Sequence, residues 1–507
     1  GWQGVQHPIE FGGQGLPKLV ATPCMEMLNA ANLSFALCPL LTDGAIEALM
    51  TAGSDAQKEQ FLPQFIAGNW TGTMNLTEPQ AGSDLALVRT KAVPQGDGTY
   101  RISGTKIFIT YGEHDMADNI VHLVLARTPD APEGVKGISL FLVPKYLVNE
   151  DGSLGERNDV TCVSIEHKLG IKASPTAVLQ FGDKGGAIGT LVGEENRGLE
   201  TMFVMMNAAR FAVGIQGIGL AERAYQKAAQ YAKERVQSRD LEGSATAVAI
   251  IHQPDVRRML MSMKSQIEAA RALAYVAAGY ADIAHHHADA AERERHQALY
   301  EYLVPIIKGW STEMAIDVAS TGVQIHGGMG FIEETGAAQY YRDARILTIY
   351  EGTTAIQAND LVGRKTARDK GWVARALIED VRRTQTLLNS QDNLQPIAVQ
   401  LGAAAEALEQ VVEYVVENVQ DHIKIVFAGS VPYLKLAGIV LGGWQLARSA
   451  ARAQQMLANG KGDAAFLQAK IVTARYFAEH QLSQASGIAS AIVHGGPSIM
   501  ALDEAQF

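Results

Sequence analysis

From Cys24 to Gly68 apolar residues recur at spacings of three and four, as in "AIEALM" and "KEQFLPQFIAG". That period predicts helices, and "GSDAQ" supplies Ser54 and Asp55 as an N-terminal cap. From about Asn69 to Val192 the period falls to two. "TYRISGTKIFIT", "NIVHLVLART", "GISLFLVPKYL", "VTCVSIEHKLG" and "TAVLQFGD" read as strands, with turn signals such as "QGDGT" and "EDGSLG" between them. They predict a compact all-β segment of about a hundred residues. From Gly198 the helices return and lengthen. "LETMFVMMNAARFAVGIQGIGLAERAYQKAAQYAKERVQ" is apolar on most faces in its first half, which places it at the centre of a bundle. Further helices are predicted from Gln253 to about Ala288 and from Arg293 to Ile325. After Lys365 an Ala/Leu-rich tract predicts helices near Trp372–Asn389, Pro396–Val419, Tyr433–Leu457 and Asp463–Gln481. This tract lacks Gly/Thr punctuation of the catalytic kind and reads as an appended helical domain.

The chain has 507 residues, more than one core usually supports, and 47% of them are hydrophobic against 19% charged. A soluble multidomain protein with a large interior is expected. The net charge of −11 argues against general nucleic-acid binding, which depends on neutralising phosphates. Cys24, Cys38 and Cys162 are an odd number with no C-x-x-C spacing, so neither a structural disulfide nor a metal site is expected. The apolar stretch Leu434–Ala447 contains Lys435 and is too short to span a bilayer; it reads as a core helix.

Four stretches could carry chemistry. In "MNLTEPQAGSDL", expected between the last N-terminal helix and the first full strand, Gly82 lets backbone amides approach a ligand. Thr77 and Ser83 can add hydrogen bonds to a pyrophosphate or a flat ring. On composition alone an ordinary polar turn is the better reading. Thr110 ends the strand "KIFIT" and could point a hydroxyl outward, or be an ordinary surface threonine. "QIHGGMGF" puts three glycines after a helix end, where backbone can cradle a phosphate or ring. No G-x-G-x-x-G follows a strand, so a Rossmann site is not expected. The fourth is "YEGTT". Glu351 follows the apolar run Ile346–Tyr350, and a buried carboxylate gains proton affinity and can act as a base toward a C–H proton. Gly352 removes a Cβ where a substrate must pass, and nearby N–H groups could polarise a carbonyl. The alternative is a helix-start glutamate favoured by the macrodipole.

Taken together and in this order, these stretches resemble the acyl-CoA dehydrogenase family. "GWQGVQHPIEFGGQGLP" resembles its approach loop to the active site. "LTEPQAGSD" and "QIHGGMGFIEE…RDARI" resemble its two signatures, and "YEGTTAIQ" its catalytic-base segment. The resemblance covers Gly1 to about Lys365. With the tail, the chain is most similar to the longer bacterial branch, whose members act on fatty acyl-CoA or methylthiopropionyl-CoA. The implied fold is α+β and multidomain. It comprises an N-terminal helical domain (1–72), a β-barrel domain (73–194), a four-helix bundle carrying the base (195–365) and a C-terminal helical extension (366–507), with FAD between the β domain and the bundle.

The resemblance also implies roles. Glu351 matches the catalytic base. Thr77, Ser83, Thr110, Gln324, Gly327, Gly328 and Thr353 match FAD contacts, and Arg235 and Gln253 match residues that reach the FAD of a neighbouring subunit. Ser83, Arg210 and Gly352 match positions beside the acyl-CoA. Asn75 replaces a usual small residue, Phe108 a frequent tryptophan and Gln339 a usual Lys or Arg. "QSRD" (Gln237–Asp240) lacks the usual Phe-Gly. Some relatives carry the base at the position of Ala209, which leaves Glu351 as the candidate here. The expected activity is FAD-dependent α,β-dehydrogenation of an acyl-CoA. An electron-transfer flavoprotein is the expected acceptor, the oligomer a homodimer and the location cytoplasmic, with no membrane span, no nucleic acid and no metal. An oxygen-using acyl-CoA oxidase and a DNA-binding flavoprotein of the same fold are the alternatives.

Overall fold

The computed structural model describes residues 1–507 and divides into two compact units, Gly1–Ala212 and Val213–Phe507.

In the first unit three helices precede the sheet: α1 (Lys18–Ala31), α2 (Leu33–Ala52) and α3 (Asp55–Ala67). Asn32 caps α2, and Ser54 and Gln57 form a reciprocal capping box on α3, as the "GSDAQ" motif predicts. Ten strands follow: β1 (Trp70–Asn75), β2 (Lys91–Pro94), β3 (Thr99–Thr110), β4 (Asn119–Ala126), β5 (Ser139–Pro144), β6 (Tyr146–Val148), β7 (Leu154–Arg157), β8 (Val160–Ile165), β9 (Thr176–Phe181) and β10 (Ala187–Val192). Eight of them make one curled sheet in the order β1-β4-β5-β10-β3-β9-β8, with β2 alongside β3. Strand β3 turns the corner. Its first half pairs with β2 and β10 and its second half with β9. The turn is made at Gly104 (φ 153°), where a Cβ would meet Thr90 Oγ1 at 2.5 Å. The core is apolar, from Ile102 and Val124 to Phe141 and Phe181. His122 is sealed within this unit. It lies 2.7 Å from Thr73 Oγ1, and burial pushes its imidazole down to about 3, so it is neutral.

Helix α4 (Gly198–Glu234) carries the chain into the second unit. There α5 (Pro254–His286) and α6 (Ala290–His326) run the length of the bundle. Gly214 and Gly217 let α4 press on α6, for a Cβ at Gly214 would reach Ile307 Cγ2 at 2.5 Å. Short helices α7 (Ala337–Ala344) and α8 (Thr354–Asp360) follow. The C-terminal tract forms α9 (Trp372–Asn389), α10 (Gln395–Asn418), α11 (Ile423–Ala428), α12 (Ser430–Ala458), α13 (Ala464–His480) and α14 (Ala485–Ile499). Its central helix is α12, and the stretch Leu434–Ala447 sits there, buried apart from Lys435. Helices α2 and α4 are long and apolar enough to cross a membrane by length and composition, but most of each apolar window is buried, as in a core helix.

The tract is fastened to the bundle at several points. Tyr302 on α6, Tyr433 on α12 and Thr366 form a buried hydroxyl chain with spacings of 3.0 and 2.9 Å. Lys470 on α13 joins Glu268 on α5 at 2.8 Å. Much of the tract's apolar surface, including Leu401, Leu408, Leu441 and Phe477, is buried within the same chain, while Trp372, Val399, Phe466 and Ile499 remain exposed.

Candidate active site

In the first unit the loop after β1 is organised by a buried ion pair. Glu78 is 4% exposed, and Lys106 of β3 is fully buried. Lys106 Nζ donates to Glu78 Oε1 at 2.8 Å and to the Leu76 carbonyl at 3.0 Å. The same carboxylate accepts from the Thr90 hydroxyl (2.6 Å), the Thr90 and Arg89 amides and the Gln80 side chain. Burial works against the Glu78 charge, but Lys106 and these donors outweigh it and hold the carboxyl down at about 2. Burial also draws the Lys106 ammonium down to about 8, which leaves it charged at neutral pH. The loop is thus drawn onto β3, where the Ile107 amide donates to the Thr77 carbonyl at 2.9 Å.

That bond brings Thr77 close to the end of β3, where the strand bulges between Lys106 and Ile109. Phe108 occupies the bulge at φ 59° and is 60% exposed, and Thr110 is half-buried two residues on. A bulky, exposed residue held in the left-handed region is a backbone outlier of the kind found at binding sites. Tyr111 follows at φ 52°, pinned by its hydroxyl to the Ser34 carbonyl (2.6 Å). Met74 and Asn75 belong to β1; the expectation of a loop ahead of the first full strand is corrected there. Asn75 Nδ2 donates to Thr73 Oγ1 at 2.8 Å, inside the core. Ser83 and Gly82 are exposed. Arg210, on α4, is 4% exposed, with Asn207 Oδ1 at 3.4 Å.

In the second unit Glu351 does not start a helix. Thr353 caps α8 through the Ile356 amide, so Glu351 lies two residues before the cap. Glu351 has φ 54° and Gly352 φ 85°, two consecutive left-handed residues. For a non-glycine residue this costs on the order of 1–3 kcal/mol and persists only where neighbours impose it. The neighbours are identifiable. Gln357 Nε2 donates to both the Glu351 and Gly352 carbonyls (3.2 and 3.3 Å), and Lys308 Nζ of α6 donates to the Gly352 carbonyl at 2.6 Å. The Tyr350 hydroxyl donates to Gln216 Oε1 of α4 at 2.5 Å, and the Thr354 hydroxyl to Glu313 Oε1 of α6 at 2.5 Å. Burial, with the Glu351 charge beside it, pushes the Tyr350 phenol well above its ordinary value, so it remains a donor. Hydrogen bonds from charged donors contribute about 1.5–3 kcal/mol each, enough to offset the strain. Glu351 itself is half-buried. The lead-in is not a continuous apolar helix. Residues Arg345–Thr348 make a 3₁₀ turn, and Ile349 is 47% exposed.

Gln324, Gly327 and Gly328 end α6 at an exposed turn. A Cβ on Gly327 or Gly328 would meet nothing within 4 Å, which leaves an open backbone surface. His326 beneath them stacks on Tyr231 with centroids 4.4 Å apart. Arg235 and Gln253 share one surface loop. The Ile250 amide donates to the Arg235 carbonyl (2.8 Å), and Gln253 Nε2 to the Arg239 carbonyl (3.0 Å). Glu78, Lys106, Lys308, Gln216 and Gln357 were absent from the residues picked out in the sequence. The lysines leave a trace there, since each is a charge amid apolar neighbours, in "GTKIF" and "LVPIIKGW".

Comparison with known families matches the chain domain by domain. Residues 1–69, 73–184 and 196–365 match, in turn, the families described as acyl-CoA dehydrogenase N-terminal, middle and C-terminal domains. Residues 376–503 match the family described as acetyl-CoA dehydrogenase C-terminal like. A 3-methylmercaptopropionyl-CoA dehydrogenase of Ruegeria pomeroyi is 56% identical over 502 residues, 99% of this chain and 84% of the relative.

The chain belongs to the acyl-CoA dehydrogenase family.

A butyryl-CoA dehydrogenase of Syntrophomonas wolfei is 38% identical over 507 residues, 97% of this chain and 82% of that relative. Among solved structures, Caenorhabditis elegans ACDH-11 in complex with C11-CoA shares the acyl-CoA dehydrogenase fold. Its TM-score is 0.71 at 23% identity, over 90% of this chain and 74% of that one. The C-terminal tract is therefore part of the shared architecture. Members of the acyl-CoA dehydrogenase family are flavoprotein oxidoreductases, and this chain is an enzyme of that class.

Proposed function

We propose that this acyl-CoA dehydrogenase converts an acyl-CoA thioester into the trans-2-enoyl-CoA, with Glu351 as the base that takes the α-proton. The observation that carries the reading is the strained Glu351–Gly352 turn, held by Lys308, Gln357 and Tyr350 and therefore not free to relax. Such a turn presents one carboxylate in a fixed direction. Gly352 is the residue beside the thioester in this reading, and its missing Cβ leaves the room that Gln357 Nε2 and Ile356 take up in holding the turn. An acyl chain seated against the half-buried carboxylate would displace water, which strengthens a carboxylate as a base.

The chain's residues fit FAD. Exposed Phe108 offers a flat platform, Thr77 is bonded to the same strand end through its carbonyl, Thr110 lies two residues beyond Phe108, and Ser83 and Gly82 leave open polar backbone. Gln324, Gly327 and Gly328 offer an uncovered turn for a diphosphate, and Thr353 lies beside the base. When bound, FAD supplies the acceptor for the β-hydride. Arg210 would bind near the acyl-CoA. Arg235 and Gln253, on an exposed loop, are suited to reach a cofactor held by a second copy, so the working state is a homodimer. An electron-transfer flavoprotein would reoxidise the enzyme. The identity to the Ruegeria relative supports 3-methylmercaptopropionyl-CoA as the first substrate to assay, ahead of butyryl-CoA and longer chains.

The test is Glu351→Gln. FAD content and acyl-CoA binding should persist, while turnover falls by about a hundredfold to ten-thousandfold, the usual worth of a general base. Near-normal bleaching of the flavin by substrate would sink the assignment. Oxygen uptake with acyl-CoA and no added acceptor separates an oxidase from a dehydrogenase.

A further inference from the structure

Lys308 sits in the middle of α6 between Ile307 and Gly309, with no exposed surface. Burying an ammonium is unfavourable unless it meets a strong acceptor, and a leucine would fill an interior helix position without that cost. One such acceptor is the Gly352 carbonyl, 2.6 Å away and 44 positions along the chain. That carbonyl already receives Gln357 Nε2, so the lysine adds a charged donor to a group with a neutral one. Its neighbours on α6 share the task. The Thr312 hydroxyl bonds back to the Lys308 carbonyl (2.7 Å), and Glu313 holds Thr354 on the first turn of α8.

We propose that Lys308 is a positioning residue for the reaction: its ammonium grips the Gly352 carbonyl and so fixes the direction in which Glu351 presents its carboxylate. The inference rests on Glu351 being the base. It predicts that loss of the ammonium loosens a single turn and leaves the bundle, the cofactor and substrate affinity in place.

The experiment compares Lys308→Met and Lys308→Gln with wild type and Glu351→Gln. Amide exchange of the peptide spanning 346–358 is followed by mass spectrometry alongside kcat, KM and FAD content. In Lys308→Met, exchange of that peptide should quicken about tenfold while the rest of α6 is unchanged. The value of kcat should fall about thirtyfold with KM within about threefold, the signature of a misplaced reacting group. Lys308→Gln, which keeps a neutral donor, should lie between. Unchanged exchange and rate in Lys308→Met, with Glu351→Gln inactive, would overturn the inference and leave the base assignment standing. Normal turnover by Glu351→Gln would instead remove the catalytic reading, whatever the exchange shows. Failure of both Lys308 variants to fold would also overturn it, by assigning the lysine to the bundle and not to the turn.

Discussion

The indole of Trp310 on α6 fills the notch left by Gly438 on α12: a Cβ built on Gly438 would come within 2.4 Å of the indole Cγ. Gly442, one turn on, makes the same allowance, with 2.6 Å to the far edge of the ring. Next to Trp310, Gly309 leaves room for Leu434 at 2.7 Å. Two helices that meet with such allowances are locked in register, so the C-terminal tract and the bundle form one packed body.

Gly438→Ala should therefore destabilise the protein although alanine is the better helix former. Overpacking of this kind costs about 1–3 kcal/mol, and a neutral result is expected only if α12 is loosely held. Trp310→Ala removes the ring instead and should cost about 3–5 kcal/mol. Thermal unfolding of both variants against wild type measures the effect. An unchanged midpoint for Gly438→Ala would contradict the packing described.

Much of this architecture is written in local patterns. The alternation in "TYRISGTKIFIT" marks β3 from Thr99 to Thr110, and the periodicity of the tail marks α9 from Trp372 to Asn389. Strand β1, "WTGTMN", escapes notice as a separate strand because a glycine, two threonines and an asparagine break up its apolar residues, whereas the equally buried β4 and β5 are rich in Val, Leu, Ile and Phe. Helix α14 escapes because its glycines and Pro497 look like turn punctuation, although it is helical to Ile499. At the site, Glu351 stands out because an acid beside Gly352 and two threonines is locally odd. The residues that set its backbone do not stand out. Lys308 and Gln216 act across 44 and 134 positions, and pairing over such separations is a property of the fold, with no local spacing to reveal it.

Gly352→Ala tests the turn from the other side. Gly352 lies at φ 85°, and an added Cβ would fall 2.8 Å from Gln357 Nε2, the donor that holds both carbonyls. Alanine is thus disfavoured twice, by conformation and by contact. A displacement of about 1 Å at a reacting group can cost about a hundredfold in rate. The expected outcome is a loss of kcat of that order with FAD still bound, read by steady-state kinetics and the flavin spectrum. Full activity would show that the left-handed pair is not needed.

The Glu78–Lys106 pair predicts a pH dependence of the first unit. The Glu78 carboxyl is ordinarily near 4.5 and is held at about 2 in the fold. A depressed carboxylate stabilises the native state fully above its unfolded value. That contribution, about 3 kcal/mol for such a shift, is lost as pH falls from about 4.5 towards about 2. Glu78→Gln should lower stability at pH 7 and flatten this acid limb. Lys106→Met should do more harm, about 3–5 kcal/mol, because it strands a buried carboxylate. Urea unfolding of the earliest transition between pH 7 and pH 3 measures both. An acid limb as steep in Glu78→Gln as in wild type would assign it to other carboxylates.

Removal of Lys370–Phe507 is the broadest test of the extension. The deletion strips α12 from Trp310 and from Tyr302, whose hydroxyl would lose Tyr433. It also leaves Glu268 with Lys264 alone of its two lysine partners. The exposed α5–α6 face would then be a large apolar patch, of the kind that drives association. Lys308, Gly309 and Trp310 are consecutive, so the turn of α6 that grips Gly352 is the one that α12 buttresses. Loss of the buttress should reach the Glu351 turn as well as the surface. The truncated protein is expected to aggregate and to retain little FAD, measured by light scattering and by flavin absorbance per chain. A soluble, fully flavinylated and active truncation would show that the extension serves neither folding nor the active turn, and would move its purpose to contacts with another protein.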